Sequence, residues 1–147
     1  MQQSKSKIRV YIAAPFFNPE QLKVVKDIED MLDSCGVTYF SPRSEGTLIE
    51  MTDEERKVHM GNMFRSNVDH MDWCSHCIAV IDNYDTGTVW EMGYLYATHK
   101  KIVTYSANYH GINVMLNESI EGHCVHMMDL YQALHGKFES TKTSDVT

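Results

Sequence analysis

The chain has 147 residues, 43% of them hydrophobic, and a formal charge of −7, enough for one domain with a buried core and too little for two of ordinary size. No basic run is longer than Lys100-Lys101, which excludes a polyanion such as DNA or RNA as a natural partner and leaves small neutral ligands open. The opening MQQSKSKIRV lacks a signal-peptide core, and nowhere do about 18 apolar residues run together, so a soluble cytoplasmic protein without a membrane segment is expected.

The first element expected is a strand over residues 8–14, a β-branched and aromatic run. After Pro15-Phe16-Phe17, Asn18 can cap a helix, Pro19 suits its first position, and Gln21 can reach back to complete a capping box. That helix is expected to run to about Cys35 and end at Gly36, with Leu22, Val25, Ile28, Met31 and Leu32 on one buried face. A short strand over 37–40 follows, then a polar loop over 41–51 that leaves a strand end and can line a pocket. Thr52 and Glu55 form a second capping box for a long helix over 53–72. Next come a strand over 77–81, an acidic loop, a helix over 89–99 and a strand over 102–105. An irregular segment around 111–115, a short apolar piece near Val125 and a last helix over 128–134 complete the core. The whole of 1–147 reads as one domain with its core at about 8–136; the polar ends, 1–7 and 138–147, are expected to be flexible.

Strands alternating with helices predict an α/β fold, a doubly wound parallel five-stranded sheet with helices on both faces. In the order 2-1-3-4-5, the loops after the first and third strands meet at the switch point, where such sheets bind ligands. Those loops carry Phe16 and Phe17 on one side and the run from Asp82 to Thr88 on the other, with Glu91 just inside the helix that follows. With its helix starting at Val89, Glu91 falls in the first turn, where the helix dipole favours a charged carboxylate fit for nucleophilic attack. On spacing alone an equally open reading makes Asp85 a cap and Glu91 one more first-turn acid. Cys74 and Cys77 form a C-x-x-C with His123, Cys124 and His126 downstream, a weak zinc pattern. Cys77 and Cys124 lie in apolar stretches and read better as small buried hydrophobes, so no metal is expected. The eight histidines share no spacing.

Four segments together resemble the nucleoside 2-deoxyribosyltransferase family: VYIAAPFF at residues 10–17, Asn67 ahead of the third strand, D-x-G-T-x-x-E-x-G-Y from Asp85 to Tyr94, and INVM at residues 112–115. The resemblance implies a flavodoxin-like enzyme that moves a 2-deoxyribosyl group between nucleobases without a cofactor. It implies that Glu91 is the nucleophile, that Tyr11 orients it, and that Asp85 binds sugar hydroxyls. Gly87 belongs to the same motif, and Phe16 packs against the base. Asn113 and Met115 match residues supplied by a neighbouring subunit, which implies a homo-oligomer built on dimers, a tetramer or hexamer, with shared sites. The substrates implied are a deoxynucleoside and a free nucleobase.

This chain departs from the pattern at Asn67, where the family often has an aspartate that helps protonate the departing base; the nearest carboxylate is Asp69. Two residues along a helix turn a side chain to nearly the opposite face. Either Asn67 binds the base as an amide, or recognition shifts to the 41–51 loop through Arg43 or Glu45. Two rivals stand beside the transferase. One is a nucleoside or 5′-nucleotide N-glycoside hydrolase on the same scaffold, with Arg43, Ser41 and Ser44 gripping a phosphate. The other is a non-catalytic nucleotide-sensing module.

Overall fold

The computed structural model describes residues 7–45, 51–108 and 111–137. The expected flexible ends fall almost wholly outside the described residues, as do residues 46–50 of the 41–51 loop. β1 is Arg9–Ala13, β2 Thr38–Phe40, β3 His76–Val80, β4 Lys101–Tyr105 and β5 Gly122–Cys124. They form one five-stranded sheet in the order β2-β1-β3-β4-β5, and every neighbouring pair is parallel. The helices are α1 (Pro19–Ser34), α2 (Asp53–Trp73), α3 (Thr86–Ala97), α4 (Val114–Glu118) and α5 (Met127–Leu134).

Side chains alternate across each strand, and that alternation divides the core in two. Val10, Ile12, Ile78, Val80 and Val103 face one way and meet Ile28 and Leu32 of α1 and Leu130, Ala133 and Leu134 of α5. Tyr11, Ala13, Cys77, Ala79 and Ile102 face the other way and meet Met71 of α2, Met92 and Leu95 of α3, and Leu116 of α4. Strands buried on both faces read as unbroken apolar runs, and that made them recognisable in the sequence. The same alternation puts the Tyr11 hydroxyl on the α2 and α3 side.

The helix starts follow their caps. Asn18 Oδ1 accepts from Gln21 N at 2.8 Å, and Thr52 and Glu55 complete a reciprocal capping box on α2. Gln21 departs from expectation: its side chain accepts from Phe17 N at 2.8 Å, one residue before the cap, and so fixes the loop that leaves β1. Leu22 is 40% exposed rather than part of the buried face, whereas Glu29 is buried at 7%. The segment after Gly111 is also more regular than expected, since Asn113 caps the single-turn α4. The apolar piece near Val125 proves to be the edge strand β5, which ends at Cys124. Among the described residues no helix is long and apolar enough to cross a membrane.

Candidate active site

The loops leaving β1 and β3 meet beyond the carboxyl ends of these neighbouring strands, as the strand order requires. Between them and α2 lies a cavity of about 500 Å³. Ala14, Phe16 and Phe17 line it from the first loop, Pro42 from the end of β2, and Asp85, Gly87, Trp90 and Glu91 from the start of α3. One face of α2 closes it with Met63, Phe64, Asn67, Val68 and Met71, positions that fall together at helical spacing.

α3 begins at Thr86, three residues earlier than the sequence suggests, and Asp85 is its cap. Asp85 Oδ2 accepts from Thr88 N at 2.9 Å and from Thr88 Oγ1 at 3.0 Å. Glu91 therefore lies in the second turn, beyond the reach of the helix-end field that the first-turn reading invoked, because that effect fades within one turn. Its charge is disfavoured where it lies. Burial raises the Glu91 carboxyl to about 7 and the nearby Asp85 charge adds to this, while the Tyr11 hydrogen bond pulls the other way. Burial also pushes the Tyr11 hydroxyl far above its ordinary range, and the Glu91 charge reinforces the effect.

Glu91 shares the inward side of α3 with Thr88, Met92 and Leu95, all buried, at the end where the sheet gives way to the cavity. Tyr11 is fully buried in β1, and its hydroxyl donates to Glu91 Oε2. The pair is thus set by strand alternation on one side and helix periodicity on the other. Gly87 keeps the entrance to the acids open: a Cβ there would stand 3.3 Å from Asp85 Oδ2.

Phe16 and Phe17 stack with centroids 5.2 Å apart and both line the cavity, so neither faces the core as one of such a pair often does. Phe64 and Trp90 add two further rings, 5.7 Å apart at their centroids. Sequence reasoning missed Phe64, Trp90, Met63, Val68 and Met71. The available signal was the helical spacing of the α2 set around Asn67, obscured by other apolar residues on α2, Val58 and Met60, that point to solvent. Asn67 is the polar group of that face, and its Oδ1 is shielded from solvent without a hydrogen-bond partner.

The other expected residues are placed elsewhere. Arg43 turns to α1, where Nε and the guanidinium NH2 donate to Glu29 at 2.8 and 2.5 Å. Burial opposes the Glu29 charge, but the paired bonds from Arg43 outweigh it and hold the carboxyl below its usual range. Glu45 accepts from Ser66 Oγ at 3.0 Å. Asp69 lines a separate hollow with Phe40, His70 and Trp73. Asn113 Oδ1 accepts from Met115 N at 2.9 Å, and Met115 is 75% exposed on a surface away from the cavity lining. Asp82 clamps the chain after β4, accepting from Ser106 Oγ, Ala107 N and Asn108 N at 2.8 to 3.0 Å. Cys74, Cys77 and Cys124 are buried as thiols, and no group of three or more His, Cys, Asp or Glu suited to a metal occurs among the described residues.

The doubly wound sheet thus brings a carboxylate–tyrosine pair and a capping aspartate to its switch point, beside a cavity of small-molecule size. The family model for nucleoside 2-deoxyribosyltransferases matches residues 10–134, and the chain belongs to that family. A solved 2-deoxyribosyltransferase from Bacillus psychrosaccharolyticus is 30% identical, with a TM-score of 0.73 over 86% of this chain and 95% of that one. A conserved protein from Enterococcus faecalis (13% identity, TM-score 0.72, 90% and 100% covered) and a CMP N-glycosidase from Clostridium botulinum (18%, 0.59, 86% and 98%) share the fold. An uncharacterised protein of Ureaplasma parvum is 31% identical over 107 residues, 65% of this chain and 64% of its own length. The chain thus spans just under two thirds of that curated relative.

Proposed function

We propose that the protein transfers a 2-deoxyribosyl group from one nucleobase to another through a covalent deoxyribosyl-Glu91 intermediate. The observation that carries this reading is Glu91 lining a largely apolar cavity, bonded from behind by the buried Tyr11 hydroxyl, with Asp85 also in the lining. Breaking an N-glycosidic bond builds positive charge on the sugar ring; a fixed carboxylate stabilises that charge and then captures the anomeric carbon, as in retaining glycosidases. A second base attacks the same carbon from the side the first one left, and two inversions give net retention. A sugar without a 2-hydroxyl forms the cation more readily, because an electron-withdrawing oxygen is absent.

Tyr11 fixes the attacking oxygen. Asp85 spends Oδ2 on its helix cap and has Oδ1 for a sugar hydroxyl, while Phe16, Phe17, Phe64 and Trp90 give the base flat apolar surfaces. Met115, apolar and three-quarters exposed, suits the role of a residue lent with Asn113 to a neighbouring copy. The charge of the lining favours nucleosides over 5′-nucleotides. Its described residues include two carboxylates and no Lys or Arg, and Arg43 is engaged by Glu29. A phosphate dianion brought there is repelled.

Incubating deoxyinosine with adenine tests the proposal. Deoxyadenosine is the expected product, accompanied by a pentose adduct on Glu91 in enzyme quenched during turnover. Free deoxyribose formed at the same rate with and without adenine would establish hydrolysis instead, and binding without turnover would establish a sensor.

A further inference from the structure

The end of the cavity that holds the base contains an amide where glycoside cleavage ordinarily employs an acid. On the lining face of α2, Asn67 stands among Met63, Phe64, Val68 and Met71. Its amide both donates and accepts hydrogen bonds, but it has no proton to release near neutral pH. The unpartnered Oδ1 gives it an unmet demand that a bound base can satisfy.

No other described group facing this space serves as the acid. Of the two lining carboxyls, Asp85 is fixed to Thr88 and Glu91 is engaged by Tyr11. From β1 and β3, Tyr11 and Cys77 face Glu91, and burial holds both protons far too tightly to be given up. On α2 itself, the His70 ring stacks on Phe40 with centroids 3.5 Å apart, and its Nδ1 lies 2.7 Å from Ser66 O. His70 belongs with Asp69 to the separate hollow by β2. Glu45 is held by Ser66.

Resting on the glycosyl-transfer reading above, we propose that this site expels the departing base without protonating it, and that Asn67 holds the base solely through its amide. In the first step the C1′–N bond breaks with its electron pair going to the base nitrogen, while a bond forms between a Glu91 carboxylate oxygen and C1′. The base departs as its anion and takes a proton from water. The incoming base loses its N–H proton to water as it attacks C1′ and displaces Glu91. The favoured substrates are therefore deoxynucleosides whose base forms a stable anion.

The test is single-turnover cleavage between pH 5 and 9.5 for deoxynucleosides whose bases differ in N–H acidity but do not ionise in that range while glycosylated. For the natural protein the rate should rise once, as Glu91 ionises, stay level to pH 9.5, and depend steeply on the acidity of the leaving base. Asn67→Asp introduces a carboxyl into the same apolar face. It should create a falling alkaline limb, flatten the dependence on base acidity, and speed the poorest leaving bases by about 100-fold, as general acids do. Asn67→Ala, retained should the aspartate variant fail to fold, should raise KM and keep both the level plateau and the steep dependence. An alkaline limb in the natural protein, or a folded Asn67→Asp protein with unchanged leaving-base dependence, would overturn the proposal. Absence of cleavage for every deoxynucleoside, with or without an acceptor base, would instead remove the glycosyl-transfer reading and this proposal with it.

Discussion

Replacing Glu91 with glutamine is predicted to stabilise the fold while abolishing transfer, and the size of the gain depends on pH. A carboxyl whose folded-state value is raised from 4.5 to about 7 binds its proton more tightly in the folded protein than in the unfolded chain. Its contribution is therefore full below about pH 4.5 and is lost as pH rises through 7. At about 1.4 kcal/mol per pH unit, ionising the folded carboxyl above pH 7 costs up to about 3 kcal/mol. Glutamine keeps the shape and can still accept from Tyr11, but it carries no charge to desolvate and none for Asp85 to repel. Urea unfolding at pH 8 should show Glu91→Gln more stable than the natural protein by about 1–3 kcal/mol, with Tm several degrees higher. At pH 4.5 the two should agree within about 0.5 kcal/mol. Equal stability at pH 8, or a less stable glutamine variant there, would refute the claim that burial works against this charge.

Three more outcomes follow from the same geometry. Tyr11→Phe removes the hydrogen bond that partly offsets burial at Glu91, so the pH at which the transfer rate reaches half its plateau should move upward, and the plateau should fall by about 10–100-fold; an unmoved midpoint would disconnect Tyr11 from the nucleophile. Arg43→Met leaves the buried Glu29 carboxylate without its partner and should cost about 1–3 kcal/mol in urea unfolding, with kcat/KM for nucleosides within about two-fold of the natural value; a large loss of activity would place Arg43 in the binding machinery. Met115→Glu should shrink the particle in sedimentation and lower activity together if that exposed side chain enters a neighbour's site, whereas an unchanged particle with unchanged activity would deny it that role.

The sheet was legible because its strands are buried on both faces, so composition alone marked β1, β3 and β4. The cap residues Asn18 and Thr52 located two helix starts for the same reason: a side-chain oxygen answers an orphan N–H at a fixed offset. The start of α3 was not legible from propensity. Thr86, Gly87 and Thr88 are all weak helix formers, and the carboxylate of Asp85, bonded to Thr88, compensates for them. That shift moved Glu91 one turn along and replaced a stabilised charge with a strained one. Glu91 and Tyr11 were singled out through the motif, but their contact depends on two periodicities converging across 80 positions. The Arg43–Glu29 pair joins a turn to a helix 14 residues earlier, and no local pattern announces it. The α2 contribution to the cavity was hidden for a related reason, since solvent-facing Val58 and Met60 blur the stripe that Met63, Asn67 and Met71 define.

The turn between Asp82 and Asp85 serves two neighbourhoods at once. Asn83 and Tyr84 take the left-handed conformation, with φ of 62° and 45°, and the Tyr84 hydroxyl donates to Gly111 O at 2.8 Å and accepts from Asn113 N at 3.2 Å. The backbone that delivers Asp85 to the cleft is thereby strapped to the stretch that presents Met115 to the outside. Only one phenol thus separates that outer stretch from the turn that carries Asp85, so a displacement of either is transmitted to the other through a single side chain.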